Sequence, residues 1–212
     1  MLITAIEKGK KSPDRYNVYV NGSFLFAVYL DTLSEYNISS GDEIDSRLID
    51  EIIDFDKVLF AKRQSFDILS RRNLSEAMLC DKLRQKQIEE SHIISAVEYL
   101  KEKGYIDDER FASDRAKYLL EVKRYGVSKI RQELIFKYGI DREIAENITE
   151  NLPDEQSLEN LHTLLEKELG KKDTSDRKIL NNIINKFRLK GYTYDDIKST
   201  INDIKEEVEI FD

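Results

Sequence analysis

The stretch that decides the fold is Lys101–Gly139, KEKGYIDDERFASDRAKYLLEVKRYGVSKIRQELIFKYG. Gly104 and Gly139 are each placed to end a helix, because glycine adopts the left-handed conformation at the C′ position without a Cβ penalty. Asp107 or Asp108 then offers a carboxylate to the unpaired backbone N–H groups at the next helix start. The stretch predicts helices joined by short loops with the same end signals each time, which is typical of a repeat protein.

Apolar residues on both sides of this stretch recur with a nearly fixed period. The anchors of the second helix in each copy are Leu83, Leu134 and Phe187, which lie 51 and 53 residues apart. Such self-similarity is typical of stacked units that cannot bury their apolar faces alone, and it predicts tandem three-helix repeats. The matching positions are Leu79, Leu83, Ile88, Ile93, Val97 and Leu100 in the first copy, Ile130, Leu134, Ile140, Ile144, Ile148 and Leu152 in the second, and Ile183, Phe187, Tyr192, Ile197, Ile201 and Ile204 in the third.

The first 45 residues have a different pattern, rich in aromatic and β-branched residues. Arg15–Val20 and Ser23–Tyr29 are separated by Asn21-Gly22, which favours a type I′ hairpin because both turn positions need positive φ. With a first strand near Leu2–Ile6, they predict a small antiparallel meander. We therefore expect a mainly α fold, with tandem three-helix repeats in an elongated, curved array after this N-terminal β-module. The predicted parts are residues 1–45, 46–105, 106–152 and 153–212.

The helical period begins at Ser46, and the acidic run Asp54–Asp56 is expected to interrupt it. The expected N-caps inside the repeats are Ser75, Ser91, Ser128 and Asp141. The predicted helices lie near 57–70, 75–86 and 91–103, near 108–123, 128–138 and 141–151, and near 154–169, 176–190 and 194–208.

Composition and charge limit the class of protein. Charged residues make up 36% of the chain and there are two prolines, which favours a soluble helical protein. One cysteine permits no internal disulfide, and neither a membrane-spanning run nor a signal peptide is expected, so we predict a cytoplasmic protein with no membrane partner. The net charge is −8, with −6 in residues 1–56 and +3 in residues 57–105. This balance argues against direct nucleic-acid binding as the main function.

No residue pattern indicates an enzyme, a metal site or a cofactor. His92 and His162 lack cysteine or carboxylate partners at metal-ligand spacing in the sequence. Cys80 lies beside Leu79 and Leu83 on one helix, so a packed thiol is favoured over a nucleophile. The eight glycines form neither a phosphate-binding loop nor a dinucleotide fingerprint.

A basic pair follows the first helix of each repeat. Cations at helix C-termini are stabilised by the helix dipole alone, by roughly 0.3–1 kcal/mol, which is one explanation. The other is that stacking aligns the pairs as a ladder suited to an acidic groove or a phosphate backbone. The predicted partner-binding residues, which include nearby helix positions, are Arg71, Arg72, Lys82, Arg84, Lys123, Arg124, Lys129, Arg131, Lys171 and Lys172.

Four aromatic residues of the second repeat could stack on nucleic-acid bases. Their spacing among aliphatic residues favours a core position for Tyr118 and Phe136. Tyr125 and Tyr138, beside glycines at helix ends, stay open to either interpretation.

Three short blocks resemble the RecX family of recombination regulators. They are SRRNLSEAMLCDKL at Ser70–Leu83, GYIDDERFA at Gly104–Ala112 and KRYGVSKIRQEL at Lys123–Leu134, and the resemblance covers about residues 57–205. It implies a modulator of the RecA recombinase, built from three-helix repeats that lie in the groove of the RecA–single-stranded-DNA filament and inhibit its recombination activities.

The leading hypothesis is therefore a non-enzymatic, monomeric regulator that binds the RecA filament. Two alternatives stay open: a helical module that binds single-stranded DNA through the basic ladder, and a helical scaffold for an unrelated protein.

Overall fold

The chain begins as a three-stranded antiparallel sheet and continues as helices. The computed structural model describes residues 1–10, 12–170 and 176–211. The strands are β1 Ile3–Lys8, β2 Arg15–Val20 and β3 Ser23–Tyr29, in the spatial order β1-β2-β3. The helices are α1 Leu30–Glu35, α2 Ser46–Leu69, α3 Glu76–Gln85, α4 Glu90–Glu102, α5 Asp108–Glu121, α6 Val127–Gln132, α7 Arg142–Glu150, α8 Asp154–Leu169, α9 Arg177–Leu189 and α10 Tyr194–Phe211, with a π-helical turn Glu133–Lys137 directly after α6. The prediction of a mainly helical chain after a small sheet is confirmed.

The hairpin between β2 and β3 forms where the sequence predicts it. Asn21 and Gly22 have φ values of 49° and 81°, the positive pair that a type I′ turn needs. One face of the sheet buries Val18, Phe26 and Val28 against α2. The sheet of the N-terminal module therefore packs against the first half of α2.

The helix α2 runs without a break through the acidic run, so the predicted interruption at Asp54–Asp56 is wrong. The reason is that Asp56 is buried and both of its carboxylate oxygens form tertiary contacts. Its Oδ1 accepts hydrogen bonds at 2.7 Å from the Tyr29 backbone N–H and the Thr32 hydroxyl, and its Oδ2 lies 2.8 Å from the Arg15 guanidinium. A charge paired and hydrogen-bonded in this way is tolerated inside a helix.

The described residues divide into two compact units, each with its own cores. The first comprises Met1–Asn73 and Leu79–Ile106, and the second comprises Leu74–Met78 and the chain from Asp107 onward. The first unit holds the core of the N-terminal module and a cluster around Leu79 and Leu83. The second unit holds one cluster around Leu134 and another around Phe187. The three anchors are 0%, 0% and 1% exposed, which confirms their predicted burial.

The middle helix of the second repeat differs from the predicted helix near 128–138, because its last turn is π-helical. From the anchor to the next matching apolar residue there are six positions in this repeat, Leu134 to Ile140. The other two repeats have five, Leu83 to Ile88 and Phe187 to Tyr192. A π-helical turn with i→i+5 hydrogen bonds absorbs one extra residue while both apolar positions stay against the core.

Two of the aromatic predictions are wrong. Phe136 is 81% exposed and Tyr118 is 39% exposed, so neither is a core residue. Tyr138 is buried instead, and its ring packs edge-on against Phe111 at a centroid distance of 5.8 Å. The helical spacing correctly indicated an apolar face, but it did not decide which aromatic ring of each turn points inward.

Helix starts follow the predicted caps in part. Asp107 accepts from the Arg110 N–H at 2.9 Å, and Asp141 accepts from the Glu143 N–H at 2.8 Å. Ser91 is not the N-cap of α4, which begins after Glu89. Ser128 is not the N-cap of α6, which begins after Gly126 because the backbone of Gly126 is held by a tertiary hydrogen bond.

Candidate partner-binding surface

The pair Lys123–Arg124 lies exposed in the loop between α5 and α6. Arg124 has a φ of 52°, in the left-handed region that is uncommon for residues other than glycine. The buried Tyr192 supports this conformation, because its hydroxyl donates to the Arg124 carbonyl oxygen at 3.0 Å. Burial raises the pKa of the Tyr192 hydroxyl to about 12, so it stays a hydrogen-bond donor at neutral pH. The third repeat thus fixes the backbone that presents this pair.

The pair Arg71–Arg72 consists of two exposed but unequal cations just after α2. Arg71 Nη2 lies 2.9 and 3.0 Å from the two carboxylate oxygens of Asp67, one helical turn earlier. Among the contacts of the described residues, Arg72 forms no ion pair. Arg72 is therefore the more available charge of the two.

Arg84, in the last turn of α3, is largely neutralised by its neighbours. Its guanidinium contacts both carboxylate oxygens of Glu90, at 2.9 and 2.6 Å, and Asp81 Oδ1 at 2.9 Å. The hydrogen bonds to Glu90 and, less strongly, to Asp81 raise the pKa of Arg84. The hydrogen bond from Arg84 in turn lowers the pKa of the Glu90 carboxyl. Lys82, on the same helix, is half-buried. Arg84 therefore stabilises the α3–α4 connection and is a weak candidate for partner binding.

Lys129 and Arg131, on α6, are each engaged within the second unit. Lys129 Nζ lies 3.7 Å from Glu133, and Arg131 Nε donates to the Thr149 hydroxyl at 2.9 Å. The hydrogen bond of Arg131 joins α6 to α7, so its role in the structure is to hold the repeat together.

Lys171 and Lys172, the third predicted pair, lie outside the described residues. The alignment of the pairs of different repeats as a ladder stays a prediction.

The structure brings one cation to this surface that sequence reasoning missed. The Gly126 N–H donates to the Lys190 carbonyl oxygen at 2.9 Å, and the Lys190 ammonium lies 5.8 Å from the centre of the Tyr125 ring. The third repeat therefore places Lys190 beside the loop that carries Lys123 and Arg124. A signal existed in the sequence, since lysine stands three residues after the buried anchor in every repeat, at Lys86, Lys137 and Lys190.

His92 contacts two carboxylates, one from a distant helix and one, Glu89, only three residues earlier in the sequence. Its side chain is 5% exposed, and its Nε2 lies 2.7 Å from Asp54 Oδ1, on α2. Its Nδ1 lies 3.5 Å from Glu89, the N-cap residue of α4. The described residues contain no group of three or more His, Cys, Asp or Glu side chains placed to hold a metal ion. His92 thus joins α2 to α4.

Cys80 is half-buried at the edge of the Leu79–Leu83 core, as a packed thiol would be. Within the part of the chain that the structure describes, no helix is long and apolar enough to cross a membrane.

Two family models match this chain. The model described as the regulatory protein RecX N-terminal domain matches residues 1–45, and the model described as the RecX second three-helix domain matches residues 107–147. The second match covers α5, α6, the π-helical turn and most of α7.

Curated relatives align with nearly the whole chain. The regulatory protein RecX of Caldanaerobacter subterraneus subsp. tengcongensis is 34% identical over 198 residues, which are 92% of this chain and 92% of that protein. The RecX of Clostridium perfringens is 33% identical over 202 residues, which are 94% of each chain. The RecX of Staphylococcus carnosus is 29% identical over 202 residues, which are 95% of this chain and 75% of that protein. The resemblance noted over residues 57–205 therefore extends over the N-terminal module.

Solved structures share the fold. A crystal structure of regulatory protein RecX superposes with a TM-score of 0.77 at 23% identity, covering 97% of this chain and 98% of that one. A crystal structure of RecX from Lactobacillus salivarius gives a TM-score of 0.64 at 25% identity, covering 71% of this chain and 97% of that one. With relatives more than 30% identical along almost their full length, the chain belongs to the RecX family of regulatory proteins.

Proposed function

We propose that this protein binds the RecA recombinase filament on single-stranded DNA in the cytoplasm and inhibits its recombination activities. The observation that carries the proposal is family membership, since the relatives are regulatory proteins and align along nearly the whole chain. No chemical step is required of the protein in this role. It acts by occupying a surface of the filament.

The exposed cations support a partner with negative charge. Arg72, Lys123 and Arg124 are exposed, and none of them forms an ion pair among the contacts of the described residues. Unpaired surface cations of this kind raise the rate of association with acidic surfaces. This gain in rate falls as the salt concentration increases. Arg71 and Arg84 are already paired with carboxylates of this chain, so they attract an acidic partner more weakly.

The experiment is a comparison of two charge-reversal variants that change the net charge equally. The test variant is Arg72→Glu with Lys123→Glu and Arg124→Glu. The control variant reverses three exposed lysines of the third repeat, Lys178, Lys198 and Lys205. Like charges brought together across an interface cost several kcal/mol, so the test variant is expected to lose inhibition of RecA-driven strand exchange. The control is expected to keep it, with both variants melting near the wild-type temperature.

A pull-down with RecA, with and without single-stranded DNA and nucleotide, separates the proposal from its alternatives. Retention that requires RecA supports the filament regulator. Retention on single-stranded DNA alone, with no added effect of RecA, would support the nucleic-acid-binding module instead. If the control variant loses inhibition as completely as the test variant, the assignment to Arg72, Lys123 and Arg124 is wrong.

A further inference from the structure

Two apolar side chains project from the second unit at equivalent places in two repeats. Phe136 is 81% exposed and Leu189 is 80% exposed, the highest values among the large apolar side chains that the structure describes. Each lies two residues after the buried anchor of its middle helix, which is Leu134 or Phe187. Single exposed apolar residues are common on protein surfaces. Here, however, two repeats carry an exposed apolar residue at the same position relative to the buried anchor.

Folding does not account for these side chains. Two residues along a helix correspond to a rotation of roughly 200°, so this position faces away from the core that the anchor fills. A polar residue is expected there, and the first repeat has one, Gln85. Phe136 is also presented from the π-helical turn Glu133–Lys137, a feature frequent at functional sites.

The surroundings of Leu189 are positively charged. Its neighbours Arg188 and Lys190 form no ion pair among the contacts of the described residues. The Lys190 ammonium instead lies 5.8 Å from the centre of the Tyr125 ring. The charges of Arg188 and Lys190 are therefore available to solvent ions or to the carboxylates of a partner.

The surroundings of Phe136 carry a smaller positive excess. Lys137 and Lys129 share one carboxylate, that of Glu133, at 2.8 and 3.7 Å. Two cations therefore share a single anion on the helical segment that carries Phe136. The hydrogen bond to Glu133 raises the pKa of Lys137, so its charge is maintained.

We propose that Phe136 and Leu189 are the two apolar anchors of a protein-docking surface, and that its partner presents apolar pockets rimmed by carboxylates. The inference rests on the proposed function and assigns this surface to the RecA protein of the filament, not to its DNA. An apolar centre with a polar rim is the usual composition of a protein interface. Nucleic-acid bases stack on aromatic rings, and the aliphatic Leu189 offers no such face.

The test is the double variant Phe136→Ala with Leu189→Ala, measured as equilibrium binding to RecA assembled with nucleotide, in the presence and absence of single-stranded DNA. The matched control is Leu158→Ala, an apolar side chain of α8 that is 46% exposed. Anchor residues at interfaces commonly cost more than 1 kcal/mol each when truncated, so the double variant is expected to bind at least about tenfold more weakly. The control is expected to bind as the wild type does, and Phe136→Leu should retain most of the affinity.

Each outcome bears on a different claim. Weaker RecA binding by the double variant, with an unchanged melting temperature, supports the docking surface. Wild-type binding by the double variant overturns the inference while the proposed function stands. A double variant that loses affinity for single-stranded DNA alone but keeps its affinity for RecA also overturns it. If the wild-type protein does not bind RecA at all, the proposed function fails, and the docking assignment fails with it.

Discussion

Gly139 lies against Ala77 within the second unit, and adding one methyl group at Gly139 tests this close contact. Gly139 ends the middle helix of the second repeat with a φ of 66°. A Cβ at this position would come closer than 3.0 Å to the Cβ of Ala77, on α3. The substitution Gly139→Ala therefore adds a steric overlap to the cost of a left-handed alanine.

The two costs can be separated, because Gly104 has nearly the same backbone conformation with open space around it. Its φ is 70°, and no atom lies within 4 Å of a Cβ built there. Gly104→Ala should cost about 1–2 kcal/mol, the penalty of a left-handed L-residue. Gly139→Ala should cost that amount and about 1–3 kcal/mol more for overpacking. We expect a total of about 2–5 kcal/mol, measured by urea unfolding followed by circular dichroism.

A double-mutant cycle with Ala77→Gly isolates the contact. Ala77→Gly alone should cost about 1 kcal/mol, the propensity difference in a helix. Since it removes the methyl group that a new Cβ at Gly139 would meet, the double variant should be more stable than the sum of the single changes implies, by about 1–3 kcal/mol. Additive single changes, or a Gly139→Ala variant no less stable than Gly104→Ala, would refute the close approach of these two positions.

Two further predictions concern the cores and the tyrosine that supports Arg124. Leu83→Ala and Leu134→Ala should each lower the free energy of unfolding by about 2–5 kcal/mol, and unchanged urea midpoints would contradict the repeat register. The buried Tyr192 has a pKa raised from 10.0 to about 12, so its contribution to stability is full below pH 10 and is lost as the pH rises through 12. Tyr192→Phe should cost about 0.5–1.5 kcal/mol near neutral pH and unfold with a shallower alkaline dependence, and equal alkaline slopes would contradict this assignment.

Much of the fold was predictable from the sequence, because periodic burial and chain-reversal signals are local. Asn21-Gly22 indicated its hairpin, and the spacing of Leu83, Leu134 and Phe187 placed one buried anchor in each repeat. The glycine at Gly139 indicated a helix end. These signals depend on the residues' own conformational preferences and on which face must leave water.

The candidate surface was predictable only in part. The sequence identified the cations at Arg72, Lys123 and Arg124, but not that Arg71 and Arg84 are paired with carboxylates. Asp67 lies four residues before Arg71, a helical spacing that the sequence does carry, whereas the contact of Arg84 with Glu90 joins α3 to α4 and depends on packing. The same limit explains His92, whose partner Asp54 comes from a different helix 38 residues earlier.

By itself the sequence determined the class of each segment, the burial of the three anchors and the family. Only the tertiary structure decided that α2 continues through Asp56, that Tyr138 rather than Phe136 fills the core, and that Gly126 precedes α6. In each of these places the local signal was compatible with two arrangements. The choice was made by a contact with a distant segment: the partners of Asp56 across the sheet, the ring of Phe111, and the carbonyl oxygen of Lys190. Long-range packing and hydrogen bonding outweigh local propensity at these places. A buried polar group without a partner costs more free energy than the roughly 1 kcal/mol or less by which helix propensities of ordinary residues differ.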